Sequence, residues 1–399
     1  MAARRSTALL TSAVVLLPVT LTLRVAPVEA AVVHVTCISR GLTCDLETPA
    51  LSAVDAADPS IVRLSDTHRD AVYEAFSSAD EYADARHPTK DDPSRDDITR
   101  EQLIYRCAQA GCSWQSGPSS NAVSAPAWDV NGCPMEAPGV FKAAGGYVMW
   151  FDMASASAPD SCMQRAQLNP PAVDSAYYCL YYATATSLVG SWQVPDGSGL
   201  VCSPDGAIDP EPFSHDDRNY LLWKDGNVSG GPAATIQMSR LDSAGTALVP
   251  GTTRTLASQS AITGAPGTFA RYVHDSTLEA PAPLITSEND FFLLFATGIW
   301  DSSGYEEGII DCGSWSSLTS GSCDRTPVGD APILRTGDFP PHTVIGPGSG
   351  TAVETPDKKA WLAYGSWDGC VGYWNARGGC RLGSRRVHVV ELRLDSLPS

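Results

Sequence analysis

The chain has 399 residues, 43% of them hydrophobic and 18% charged, and a formal net charge of −18. That composition excludes a disordered or fibrous protein. The acidity repels polyanions at long range, which excludes nucleic acid as a partner and favours a neutral ligand.

The first thirty residues stand apart. Arg4 and Arg5 make a basic start, the run from Ala8 to Leu21 is apolar, and Val28-Glu29-Ala30 ends in a small residue suited to cleavage, so residues 1–30 are expected to be a secretory signal peptide. Pro18 interrupts the apolar run, which is too short to span a bilayer comfortably, and no later segment has the length to do so. The expected location is secreted and extracellular, with no membrane partner. Twelve cysteines agree with that compartment. Cys37 and Cys44, Cys107 and Cys112, Cys312 and Cys323, and Cys370 and Cys380 lie close in sequence, which favours loop-stapling disulfides, although spacing leaves the connectivity open. No CxxC pair points to zinc. Asn227-Val228-Ser229 is a glycosylation sequon.

From residue 31 to 399 one pattern recurs, a short acidic motif followed about a dozen residues later by an aromatic, strand-like run. Asp58-Pro59-Ser60 precedes Ala71–Phe76, and Glu136-Ala137-Pro138 precedes Gly146–Phe151. Asp209-Pro210-Glu211 leads to Tyr220–Trp223, and Glu279-Ala280-Pro281 leads to Phe291–Phe295. A fifth unit lacks the acid: Gly346–Gly350 leads to Ala360–Tyr364. Counted from residues 58, 136, 209, 279 and 349, the steps are 78, 73, 70 and 70 residues. A fixed period marks a repeat architecture. The runs are apolar or alternating over four to six residues, no helical period is sustained, and turn residues separate them. These signs predict an all-β chain, a single five-bladed β-propeller over residues 31–399. Asp80–Glu101, polar and charged, reads as a solvated loop or short helix within the first unit. A closed ring of blades needs no partner subunit, so a monomer is expected.

Equivalent loops of a propeller converge near its axis, which would bring these acids to one pocket. Two carboxyl groups flanking a glycosidic bond can protonate the departing oxygen and activate water on the opposite face. The ordered motifs DPSIV, EAPGVF, AIDPEPF, LEAPAPLI and IGPGSG, each ahead of an aromatic strand, resemble glycoside hydrolase family 43 over residues 50 to 370 or so. That resemblance implies a glycosidase that releases arabinose or xylose from plant cell-wall polysaccharide. Carried over residue by residue, it makes Asp58 the general base, Asp209 the residue that modulates and orients the acid, and Glu279 the general acid. It further implies inversion, with the two reacting carboxyl groups roughly 6.5 to 9.5 Å apart. The run Trp223-Lys224-Asp225-Gly226-Asn227 is similar to the segment after the central motif in this family, which puts Trp223 among the substrate-contact candidates.

Two positions depart from the family pattern. The second unit usually reads Trp-Ala-Pro-Asp, where this chain has Glu136-Ala137-Pro138-Gly139, so Glu136 is assigned substrate contact or a structural role. Many members carry a histidine that helps hold a central ion where Ser349 stands, which counts against a structural calcium ion in the channel, and Ser349 becomes a substrate-contact candidate. No cofactor is expected to be required, and no metal ligand is assigned. His342 nearby reads as a surface or packing residue. Trp128, Trp300, Trp315, Trp367 and Trp374 fall in expected loops and are candidates to stack on a sugar, Trp300 foremost because it follows the strand after Glu279; Trp150, Trp223 and Trp361 sit inside strand runs and read as core. Other enzyme classes lack their signatures here: there is no HExxH, G-x-S-x-G, P-loop or G-x-G-x-x-G, nor the NDPNG, RDP and EC set of the fructan and sucrose hydrolases. The alternative is a non-catalytic carbohydrate-binding propeller that keeps the family fold.

Overall fold

The computed structural model describes residues 33–35, 42–46, 57–66, 71–78, 98–108, 111–123, 135–154, 178–195, 200–203, 206–226, 233–259, 277–286, 289–300, 302–318, 323, 332–336, 345–368 and 384–394. Two short strands come first, β1 (Val33–Val35) and β2 (Leu42–Leu46). Blade 1 holds β3 (Ala57–Asp66), β4 (Ala71–Ser78), β5 (Ile98–Ala108) and β6 (Gly111–Val123). Blade 2 holds β7 (Met135–Ala143), β8 (Gly146–Ala154), β9 (Tyr178–Ala185) and β10 (Val201–Cys202). In blade 3 are β11 (Ala207–His215), β12 (Arg218–Asp225), β13 (Thr235–Leu241) and β14 (Arg254–Ser258). Blade 4 has β15 (Glu279–Ile285), β16 (Asp290–Thr297) and β17 (Glu306–Ser314), followed by a single helical turn, α1 (Trp315–Leu318). Blade 5 has β18 (Ile345–Glu354), β19 (Ala360–Asp368) and β20 (Ser384–Leu394).

Each blade is an antiparallel meander, and the five sheets form a five-bladed β-propeller. The fifth sheet runs β1-β2-β20-β19-β18, so a strand from the start of the chain pairs with the last one, Leu42 opposite Leu394. Both ends of the ring are thereby tied into one sheet. The sequence pattern gives no sign of this closure, because pairing between distant segments leaves no local periodicity.

The second strand of every blade is buried on both faces, which explains its nearly continuous apolar run. Phe291, Leu293 and Phe295 of β16 pack with Phe213, Tyr220, Leu222 and Ile236 of blade 3, whereas Phe292 and Leu294 pack with Leu362, Tyr364 and Val390 of blade 5. The same alternation repeats around the ring, giving one apolar cluster per blade interface. The ring closes on Trp361, Val387 and Val389 of blade 5 against Tyr73, Leu103, Tyr105 and Trp114 of blade 1. Disulfides join Cys179 to Cys202 across β9 and β10, and Cys312 to Cys323 after β17.

Several expectations change here. Asp80–Glu101 is not all loop or helix, since Ile98–Glu101 begin β5. Trp315 is not a loop residue: it is buried in α1 against Phe213, Tyr220 and Phe291. Trp367 lies buried in β19. The signal-peptide region, Trp128, Trp374, His342 and the Asn227 sequon lie outside the described residues. Among the described residues no helix is long and apolar enough to cross a membrane.

Candidate active site

One local distortion, repeated five times, builds the site. Near the start of each innermost strand the pairing with the second strand skips, a β-bulge, between Ala57 and Ser60, Glu136 and Gly139, Ile208 and Glu211, Glu279 and Ala282, and Gly348 and Thr351. Within each bulge one residue is left-handed: Asp58 (φ 50°), Ala137 (46°), Asp209 (55°), Ala280 (47°) and Ser349 (55°). This conformation is unfavourable for residues with a Cβ, so finding it at the same place in all five blades makes it a built feature of the bulge. Proline follows it in four blades and Gly350 in the fifth. The fivefold register is therefore 58, 137, 209, 280 and 349, which puts Glu136 and Glu279 one residue earlier in their blades than Asp58 and Asp209 in theirs. Gly139 allows the close approach this requires, since a Cβ there would stand 2.2 Å from the carbonyl oxygen of Pro210.

Asp58, Asp209, Glu211, Ser349 and Thr351 line one small cavity on the channel, with Pro59, Pro138 and Pro210. Asp58 is 27% exposed; its Oδ1 lies 3.4 Å from Arg385 Nη1 and its Oδ2 accepts from Ser78 Oγ at 3.5 Å. Asp209 is fixed at both ends, its backbone N–H donating to Asp152 Oδ2 at 2.8 Å and its Oδ2 accepting from Ala280 N–H at 2.9 Å. Burial, then the neighbouring Glu279 carboxylate, push Asp209 up to about 8, while Lys224 pulls the other way. Glu279 Oε2 accepts from Lys224 Nζ at 2.8 Å, the two side chains 12% and 2% exposed.

Around these lie buried ionisable groups that were not among the candidates read from sequence. Asp152, on β8 opposite Glu136, is raised well above the ordinary carboxylate range by burial and by the Glu136 and Asp209 carboxylates. Glu211, donated to by Thr351 Oγ1 at 3.0 Å, and Glu307, donated to by Gly350 N–H at 3.2 Å, are each raised by burial to about 8. Arg385 sits 5.4 Å from the ring centroid of Tyr305. Aligning the first four units on Pro59, Pro138, Pro210 and Pro281 would have set the register there; the pairings of the second-strand residues Asp152 and Lys224 are visible only in the structure.

The remaining predicted residues divide. Glu136 belongs to the acidic group through its pairing with Asp152. The Ser349 hydroxyl is 2.8 Å from Tyr305 Oη and buried at the channel wall. Among the described residues no group of three or more His, Cys, Asp or Glu is arranged for a metal, and the Ser349 hydroxyl is engaged by Tyr305. Trp300 is 37% exposed just beyond β16, at the end of that strand which pairs with Glu279, its ring stacked on Trp367 at 6.3 Å. Of the two readings of Trp223, the core one holds and substrate contact is corrected: it is 2% exposed in the cluster between blades 2 and 3 with Phe141, Trp150 and Leu221, so it cannot meet a sugar.

The model of glycosyl hydrolases family 43 matches residues 49–393. The chain belongs to this family. Membership makes it a glycosidase, and the propeller is the family's fold. No curated protein sequence matches this family-43 glycosidase. Among solved structures it resembles alpha-L-arabinofuranosidase from Lactobacillus brevis, at 14% identity and a TM-score of 0.57, covering 87% of this chain and 94% of that one. It resembles xylan beta-1,4-xylosidase from Bacillus halodurans C-125 at 17% identity and 0.53, over 88% of this chain and 55% of the other. An alpha-L-arabinanase from Cellvibrio cellulosa, complexed with arabinohexaose, gives 13% and 0.51 over 86% and 94%. At these identities the likeness is one of fold.

Proposed function

We propose that this glycosidase is secreted and hydrolyses O-glycosidic bonds of arabinose- or xylose-containing plant cell-wall polysaccharide, acting as a monomer by inversion. The observation that carries it is that Asp58 and Glu279, from the bulges of two other blades, both lie close enough to Asp209 to raise it. The arabinofuranosidase, xylosidase and arabinohexaose-bound arabinanase of the same fold support the pentose substrates. The basic and apolar N-terminal run and the disulfides Cys179–Cys202 and Cys312–Cys323 support secretion.

In this reading Asp58 takes a proton from water, whose oxygen bonds to the anomeric carbon. The carbon–oxygen bond to the departing sugar breaks, and Glu279 gives that oxygen its proton. Asp209 holds the backbone that follows Glu279, and because burial and the Glu279 carboxylate raise it, the two groups resist ionising together and keep a proton between them. Trp300, exposed beyond β16, supplies an apolar face for a sugar ring.

The test is sugar release from linear arabinan, arabinoxylan and the 4-nitrophenyl arabinofuranoside and xyloside, with the product's anomeric configuration read by NMR. Activity with inversion that disappears in Glu279→Gln is expected, and the preferred substrate then fixes the specificity. Binding of these glycans without turnover by the wild type would replace this reading with the non-catalytic one.

A further inference from the structure

A second ring of side chains stands behind the bulges. On the second strand of blades 1 to 4, the residue paired with the one before the left-handed position is Ser78, Asp152, Lys224 and Ala296 in turn. In the first two blades this residue shares a task. It reaches into the next blade and accepts the N–H of the left-handed residue there: Ala137 N–H to Ser78 Oγ at 2.9 Å, Asp209 N–H to Asp152 Oδ2 at 2.8 Å.

In blade 3 the task changes. Lys224 has no acceptor to offer, and the N–H of Ala280 goes instead to Asp209 Oδ2 at 2.9 Å. Lys224 reaches the same next blade but donates to the side chain, Glu279 Oε2, at 2.8 Å. The ammonium is almost wholly buried, 2% exposed. Burying a cation is unfavourable unless it is paired, and a buried pair adds little net stability over apolar packing. Packing does not demand it, since Ala296 fills the equivalent place in blade 4. A cation thus occupies this position in the one blade whose neighbour supplies Glu279.

We propose that Lys224 is a positioning residue for Glu279. The inference rests on the assignment of Glu279 as general acid. The lysine fixes Oε2, leaving Oε1 for the glycosidic oxygen, and it stabilises the carboxylate that Glu279 becomes as its proton leaves. The electron pair of the breaking bond stays on the departing oxygen, which takes the Glu279 proton; water's proton goes to Asp58, and Lys224 keeps all of its own. The contribution is largest when the leaving group is a sugar hydroxyl. It is small for dinitrophenolate, which departs without being protonated.

The test compares Lys224→Met with wild type on two substrates sharing the preferred glycone, an oligosaccharide and the 2,4-dinitrophenyl glycoside. On the oligosaccharide kcat falls about 10²-fold, within the range for general acid catalysis, with KM changed by less than about threefold, the pattern of an interaction made in the transition state. On the dinitrophenyl glycoside kcat stays within about threefold of wild type. An equal loss on both substrates, or none on the oligosaccharide, overturns the proposal. Lys224→Gln, which keeps a donor but not the charge, gives the same comparison with a smaller loss and serves if the methionine variant does not fold. Glu279→Gln is measured alongside. If it keeps oligosaccharide turnover, the acid assignment itself is wrong; if it shows the leaving-group split and Lys224→Met does not, only the role of the lysine falls.

Discussion

Asp58 is placed by two neighbours that no motif announces, Arg385 at 3.4 Å and Ser78 at 3.5 Å, and the serine in turn accepts the backbone N–H of Ala137 at 2.9 Å. The carboxylate is therefore oriented by contacts that an amide can largely keep. Asp58→Asn is expected to lose about 10²- to 10⁴-fold in kcat, the range for removing a general base, with its melting temperature within a few degrees of wild type. A loss of activity that tracks a loss of fold would sink the assignment. Trp300→Ala tests a different kind of contact. Its ring, exposed and backed by Trp367, is expected to act in binding, so KM rises about tenfold, or about 1.4 kcal/mol, while kcat changes little. Asp58, Asp209 and Glu279 were legible because each opens a recurring tripeptide. Asp152 and Arg385 open no recurring tripeptide, Lys224 was seen only as part of the run that follows the central motif, and what each of them touches lies in a cross-blade geometry that one strand's sequence does not encode. Trp223 shows which signal to follow: its place inside a strand run pointed to core and its family-like motif to the substrate, and the packing of blades 2 and 3 sides with the strand.

The elements differ in how openly they declare themselves. The second strands Ala71–Ser78, Gly146–Ala154, Arg218–Asp225, Asp290–Thr297 and Ala360–Asp368 each overlap an apolar run read from sequence, because burial on both faces leaves little room for polar residues. The outer strands β10 and β14 are short and partly solvated, and leave weaker signals. Two-sided burial makes a specific claim about β16. Leu293 and Leu294 are both fully buried, yet they pack into different interfaces, the one with blade 3 and the one with blade 5. Each change to alanine is expected to destabilise by about 2–5 kcal/mol, the cost of truncating a core leucine. Urea unfolding checks this: a cost under 1 kcal/mol at either position would mean that face of the strand is not packed as described.

At the scale of the whole molecule the channel concentrates protons. Asp209, Glu211 and Glu307 are raised to about 8, and Asp152 is raised well above its ordinary value, in each case with burial as the first cause. In the unfolded chain the same groups titrate near 4. Between those values the native state binds protons that the unfolded state has released, so stability is greatest on the acid side of the window and falls as pH rises through it. One group opposes this at the lower end. Burial lowers His388 to about 4, so from there to its ordinary value near 6.5 the unfolded chain binds the extra proton, and raising pH favours the fold. Above pH 6.5 that opposition has ended, and the carboxyl groups act alone. The urea midpoint is therefore expected to fall between pH 6.5 and 8.5. Glu307→Gln should make the fall shallower, because an amide can still accept the N–H of Gly350 but has no proton to release. A midpoint that is flat or rising over this interval would mean the buried carboxyl groups are already ionised and matched by cations, and the proton kept between Asp209 and Glu279 would then have to be abandoned with them.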